Sequence, residues 1–185
     1  MYKRKLGHKV TPLKTIDIHT KAHKVREVLM VLIEGLNIKK HKLPIIDVYD
    51  HLMDNGLMTY EVVEDNILGE RLAETFPDKE HIRIQQTVFD GACDGVPFHR
   101  FTLAHELGHL FLHKNQAPKS YARGEVKNHQ VYEDSEWQAD EFASELLIDS
   151  RDLTGYETAV DLTAKYGISI RAAETKLRKL KKIRN

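Results

Sequence analysis

Cysteine is nearly absent: Cys93 stands alone in 185 residues, which excludes an intramolecular disulfide and fits a reducing compartment. Net charge is absent as well, because 28 Lys and Arg balance 28 Asp and Glu. That balance argues against a polybasic nucleic-acid carrier. Long apolar runs are missing too. The longest, 28–33, is closed by Glu34 and falls far short of the roughly 20 residues a membrane helix needs. Residues 1–10 are basic but lead into no apolar core of a secretory signal, so the expectation is a soluble, cytoplasmic protein with no membrane partner. The five prolines are scattered and no repeat or low-complexity tract occurs, so no long linker is expected.

The remaining composition, 41% hydrophobic and 30% charged, is that of an ordinary globular domain. A chain of this size buries about 70% of its unfolded surface and needs no structural metal to hold a core. Any metal it binds is expected to serve chemistry. Zero net charge also conceals a pattern: residues 1–50 carry 11 basic and 5 acidic side chains, 51–100 carry 4 and 10, 101–150 carry 4 and 9, and 151–185 carry 9 and 4.

Apolar residues at three and four spacing predict an amphipathic helix over about 16–36, and a second helix after Pro44 ending at Asn55-Gly56. The period then changes, predicting strands at 58–63 and 81–85. Asp90-Gly91 and Asp94-Gly95 predict a loop over 87–99. Thr102 is the expected cap of a helix to about Lys114, and Asp134 or Ser135 of one to about Ile148. The remainder reads as helix broken at Gly167. Three stretches are expected: an N-terminal helical segment 1–42, a central domain 43–150, and a basic helical segment 151–185.

The helix after Thr102 contains His105-Glu106-Leu107-Gly108-His109, an HExxH motif. Positions four apart differ by about 40° around a helix, so His105 and His109 project from one face and can reach one Zn²⁺. Glu106, rotated by about 100°, can hold and deprotonate a metal-bound water. The motif alone arises by chance in His- and Glu-rich chains. Its apolar flanks, Leu103, Ala104, Leu107, Leu110 and Leu112, predict a buried helix in which these polar groups need partners. A catalytic zinc also needs a third protein ligand. Glu136 and Asp140 share a face of the next predicted helix, which assigns Glu136 as that ligand and Asp140 as acceptor for a ligand histidine's other ring N–H. His113 lies on nearly the same face as His109, but three histidines along one helix span about 12 Å, too far for one ion; it is expected to support or pack. His129 and Cys93 are the competing donors.

The stretches RFTLAHELGHL (100–110) and EWQADEFASELL (136–147) resemble the two-part signature of the ImmA/IrrE family of zinc metallopeptidases, with Asp140 where that signature commonly has Asn. The resemblance is strongest over 45–149, and the tail from Tyr166-Gly167-Ile168-Ser169 to Leu177 is similar to the family's ending. It implies an α+β fold: a compact zincin-like domain, mostly helical, with a small antiparallel sheet against the HExxH helix. It also implies a zinc endopeptidase with one Zn²⁺ per chain held by His105, His109 and Glu136, with Glu106 as general base. The implied partner is a protein substrate, a helix-turn-helix repressor whose cleavage releases genes of a mobile element or a stress response.

Residues 82–84 are the expected sheet edge for an extended substrate, and Tyr132, His129 and Arg123 are candidate donors to the developing oxyanion. Two other functions stay in view. A non-catalytic protein could keep the fold and the zinc, and residues 162–180 can be read as helix, turn, helix, with six basic and no acidic side chains over 176–185 suited to DNA phosphates.

Overall fold

The computed structural model describes residues 7–33, 41–116 and 129–184. Helix α1 (Thr15–Ile33) buries Ile18, Ala22 and Leu29 along one stripe, and α2 (Ile45–Asp54) buries Ile45, Val48, Tyr49 and Leu52. Pro44, which cannot donate to a preceding turn, is the N-cap of α2. Asn55 closes it, followed by Gly56 at φ +66°, a left-handed conformation that favours glycine.

Strands β1 (Thr59–Val63), β2 (Ala73–Phe76) and β3 (His81–Gln85) form one sheet in the order β1-β3-β2. A tight turn through Pro77–Lys79 and Glu80 makes β2 and β3 an antiparallel hairpin, with Phe76 opposite His81 and Ala73 opposite Ile84. The strands alternate in direction along the chain, so placing β3 between its two predecessors makes β1 and β3 parallel, from Thr59 opposite His81 to Val63 opposite Gln85. The architecture is α+β and mostly helical as expected, but the sheet is mixed, not antiparallel. The expected edge at 82–84 is also corrected. Ile82 and Ile84 are fully buried in the central strand, and among the described residues β1 and β2 are the edges.

The expected loop over 87–99 is largely helix: α3 (Gln86–Cys93) and then α4 (Pro97–Leu112). Gly91 signals close packing and not a turn, since a Cβ there would lie 1.8 Å from Nδ1 of His99. Gly95, at φ +78°, makes the actual turn. Helix α4 starts five residues before the expected cap because Pro97 occupies its first turn, where a missing N–H costs nothing. Thr102 lies inside the helix, and its hydroxyl donates to the Phe98 carbonyl at 3.1 Å.

Helix α5 (Ser135–Leu147) is capped by Asp134, whose Oδ1 accepts the Trp137 N–H at 2.8 Å. Helix α6 (Ala159–Tyr166) begins with a reciprocal Thr158–Asp161 capping box, and Gly167 at φ +64° turns the chain into α7 (Ile170–Arg184). One apolar cluster runs through all these layers, with Tyr49, Ile82, Leu103, Leu107, Phe142 and Tyr166 at its centre. No helix among the described residues is long and apolar enough to cross a membrane.

Buried charge ties α7 to α5. Lys176, buried, reaches Glu145, and the partly exposed Lys179 reaches Glu141, so one cation of the basic tail is enclosed by the protein and a second is paired at its surface. Glu145 also meets Nε2 of His23 at 2.5 Å and the Ser150 N–H and hydroxyl at 2.9 and 2.6 Å. Burial works to raise its pKa, but the Lys176 charge, the His19 charge and hydrogen bonds from Lys176 and Ser150 outweigh it and hold the carboxyl at about 2. A depressed acid stabilises the fold above its unfolded pKa near 4.5 and loses that contribution as pH falls towards about 2. The contribution is of order 3 kcal/mol. Acid titration by circular dichroism should therefore show the gap in stability between the parent and Glu145→Gln closing from pH 4.5 downwards. Parallel curves for the two proteins would refute this.

Candidate metal centre

Helix α4 supplies His105, Glu106 and His109, and α5 supplies Glu136 and Asp140. The two helices meet where Gly108 has no side chain: a Cβ there would lie 2.9 Å from Ala139 Cα and 3.0 Å from its carbonyl oxygen. This close approach brings the first turn of α5 over the histidine face of α4. Three donor groups converge. Nε2 of His105 is 3.0 Å from Nε2 of His109, and the Glu136 carboxylate lies 3.2 Å from the first and 3.4 Å from the second.

The donor set fits a tetrahedral divalent ion. Bonds of about 2.0–2.1 Å place tetrahedral ligands about 3.3 Å apart, which the three separations bracket. Charge points the same way. Burial disfavours a charge on His105, yet hydrogen bonds to Asp140 and Glu136, with the Glu106 charge, push its pKa up to about 10. The His105 and His109 rings against it hold the Glu136 carboxyl well below the usual carboxylate range. The pocket thus calls for positive charge between two imidazoles and a carboxylate. Asp140 Oδ1 lies 2.9 Å from Nδ1 of His105; the carboxylate accepts, so the proton is on Nδ1 and Nε2 faces the other donors.

Glu106 is nearly buried, and its Oε2 accepts the Thr75 hydroxyl at 2.5 Å. With Oε2 engaged, Oε1 is the oxygen left to take a proton. No sequence signal marked Thr75, which is on β2 and 31 positions from Glu106. A second unforeseen element is the extended strap 7–13. The Gly7 N–H donates to Asp134 Oδ2 at 2.8 Å, the Ser135 N–H to the His8 carbonyl at 3.0 Å, and the Val10 N–H to the Glu133 carbonyl at 2.8 Å. A Cβ on Gly7 would lie 2.5 Å from Cγ of Glu136, so the strap packs directly on that side chain.

The other sequence candidates lie elsewhere. His129 has Nε2 2.8 Å from Asp134 Oδ2 and so belongs to the cap of α5, outside the converging donors. Tyr132 is half exposed and contributes its backbone carbonyl to Leu13 N and Gln138 Nε2. Arg123 lies outside the described residues. Cys93 ends α3 and lines a cavity with Lys42 and Arg100; burial, then Asp90, push its thiol pKa up. His113, buried, contacts Nδ1 of His109 at 3.0 Å and Oε1 of Gln138 at 3.1 Å. Burial and the His109 charge lower its pKa to about 4.

A small sheet against a buried helix, with two histidines a turn apart and a carboxylate between them, defines a metallopeptidase-type protein. The chain matches the IrrE N-terminal-like domain of the M78 peptidases over residues 69–178, more than half its length, and it belongs to that family. No curated protein matches it. Among solved structures, a Mycobacterium tuberculosis transcriptional regulator is similar at 14% identity and a TM-score of 0.46, over 88% of this chain and 50% of that one. The chain therefore spans about half the length of that regulator.

Proposed function

We propose that this protein is a cytoplasmic zinc-dependent endopeptidase in which His105, His109 and Glu136 hold one Zn²⁺ per chain. The observation that carries this reading is the convergence of two imidazole nitrogens and a carboxylate within 3.4 Å of one another, beside a glutamate oriented by a hydroxyl. Bound there, zinc supplies Lewis acidity to the scissile carbonyl and acidifies a water. The protein does the rest. Glu106 takes a proton at Oε1 and returns it to the leaving amine, while Thr75 holds Oε2 and fixes the carboxylate plane. Asp140 keeps the proton of His105 on Nδ1. Among the described residues the outer edge of β2 has no strand partner and lies next to Glu106 through Thr75, so an extended substrate segment adds there as a further strand.

Membership of a peptidase family supports a protein substrate. The identity we propose for it, a helix-turn-helix repressor, follows from the family resemblance of the 100–110 and 136–147 segments. The burial of Lys176 on Glu145 and the pairing of Lys179 with Glu141 leave fewer free cations on α7 for phosphates, which weighs against direct DNA binding by α7.

Elemental analysis should find one zinc per chain in the parent and none in His105→Ala. A parent that stays metal-free after incubation with zinc defeats the assignment. The substrate is tested by incubating the zinc-loaded protein with a helix-turn-helix repressor from the same genome. A single cleavage product by mass spectrometry is expected, and an intact repressor refutes that choice of substrate.

A further inference from the structure

A chain of hydrogen bonds leads from the back of His109 to the N-terminal strap. We propose that His113 and Gln138 are positioning residues for His109, holding its proton on Nδ1 and turning its Nε2 lone pair towards His105 and Glu136. This rests on the reading of those three residues as metal ligands.

The direction of each bond follows from the far end. Gln138 is fully buried, and its Nε2 lies 2.8 Å from the carbonyl oxygens of both Thr11 and Tyr132. Carbonyls only accept, so both amide hydrogens are used there and the amide oxygen must face His113. That oxygen is 3.1 Å from Nε2 of His113, which therefore carries a hydrogen. The His113 ring is buried, with the Gln138 amide and the His109 ring as its hydrogen-bond partners and no carboxylate bonded to it among the described residues. A buried ring without an anionic partner is neutral, which leaves its Nδ1 bare. Nδ1 of His113 and Nδ1 of His109 are 3.0 Å apart. One of two facing nitrogens must donate, and only His109 has the hydrogen to give. Its Nε2 is then bare and faces Nε2 of His105 at 3.0 Å.

Gln138 is two residues beyond Glu136 on α5, so one helix supplies both the third donor and the anchor of the relay. Reversing any bond would place a hydrogen on the metal-facing nitrogen of His109. Partners that set the tautomer of a ligand histidine are worth about 10–100-fold in metal affinity.

The test is Zn²⁺ affinity by chelator competition, together with the melting temperature of the metal-free protein, for the parent, His113→Leu and His113→Asn. Leucine fills the space and accepts nothing; the asparagine carbonyl can sit where Nδ1 was. His113→Leu is expected to weaken zinc binding by about 10–100-fold, and His113→Asn to recover most of that loss, whatever their melting temperatures. Equal losses in both variants indicate a role in packing alone and overturn the proposal, as does parental affinity in His113→Leu. A parent that binds no zinc defeats the proposed function. In that event, or if a variant fails to fold, ¹⁵N histidine correlation spectra of the metal-free parent decide the relay: Nε2–H on His113 with Nδ1–H on His109 supports it, and the opposite tautomers overturn it.

Discussion

Glu106→Gln is expected to lose cleavage by about 10²–10⁴-fold, the usual contribution of a positioned acid–base group, while zinc remains bound. Glutamine keeps the length of the side chain and can still accept from the Thr75 hydroxyl that holds Oε2 at 2.5 Å. It cannot take a proton at the other position. The three converging donors, His105, His109 and Glu136, are untouched, so zinc content should stay at the parental level. The loss should appear in kcat, because proton transfer belongs to the transition state and not to substrate binding. Product formation by mass spectrometry and zinc by elemental analysis, run on the same preparation, separate the two effects. A variant that cuts at the parental rate would remove Glu106 from the mechanism. One that loses zinc together with activity would place it in metal retention instead.

The parts of this site legible in the sequence are those governed by helical periodicity. His105 and His109, and likewise Glu136 and Asp140, are four apart, and a spacing of four fixes a shared face wherever the helix lies. The helix containing the second pair could be read from its Asp134 cap. What the sequence did not reveal depends on packing, both between neighbouring turns and between distant residues. Gly91 and Thr102 have the composition of a turn and a cap, but His99 packing on Gly91 and the Thr102 hydroxyl bonding to Phe98 place both inside helices.

Strand β2 is four residues with Glu74 in the middle, too short and too polar for alternation to reveal. The strap 7–13 has no periodicity at all, since what orders it is hydrogen bonding of its backbone to side chains and carbonyls of the distant segment 132–135. Lys176 reads as one charge of a solvated tail, whereas it is buried on Glu145. The spacing of His113 told its face but not its partner, because Gln138 comes from another helix.

The second large effect concerns the contact that sets the distance between the two ligand-bearing helices. Gly108→Ala places a Cβ 2.9 Å from Ala139 Cα and 3.0 Å from its carbonyl oxygen, both backbone atoms that cannot rotate away. Overpacking of this kind costs about 1–3 kcal/mol, and the better helix propensity of alanine returns about 1 kcal/mol. Net stability should therefore fall by no more than about 2 kcal/mol, leaving a folded protein. Function should suffer far more. The histidines move with α4 while Glu136 moves with α5, so widening the gap separates the donors from each other. A displacement approaching 1 Å costs about 10²-fold in catalysis. Zinc titration and cleavage rate, set against the thermal unfolding of the metal-free variant, distinguish a displaced ligand from a damaged core. Parental zinc affinity and activity in Gly108→Ala would show that α5 relaxes without moving Glu136, and that the Gly108–Ala139 contact does not set the geometry of the site.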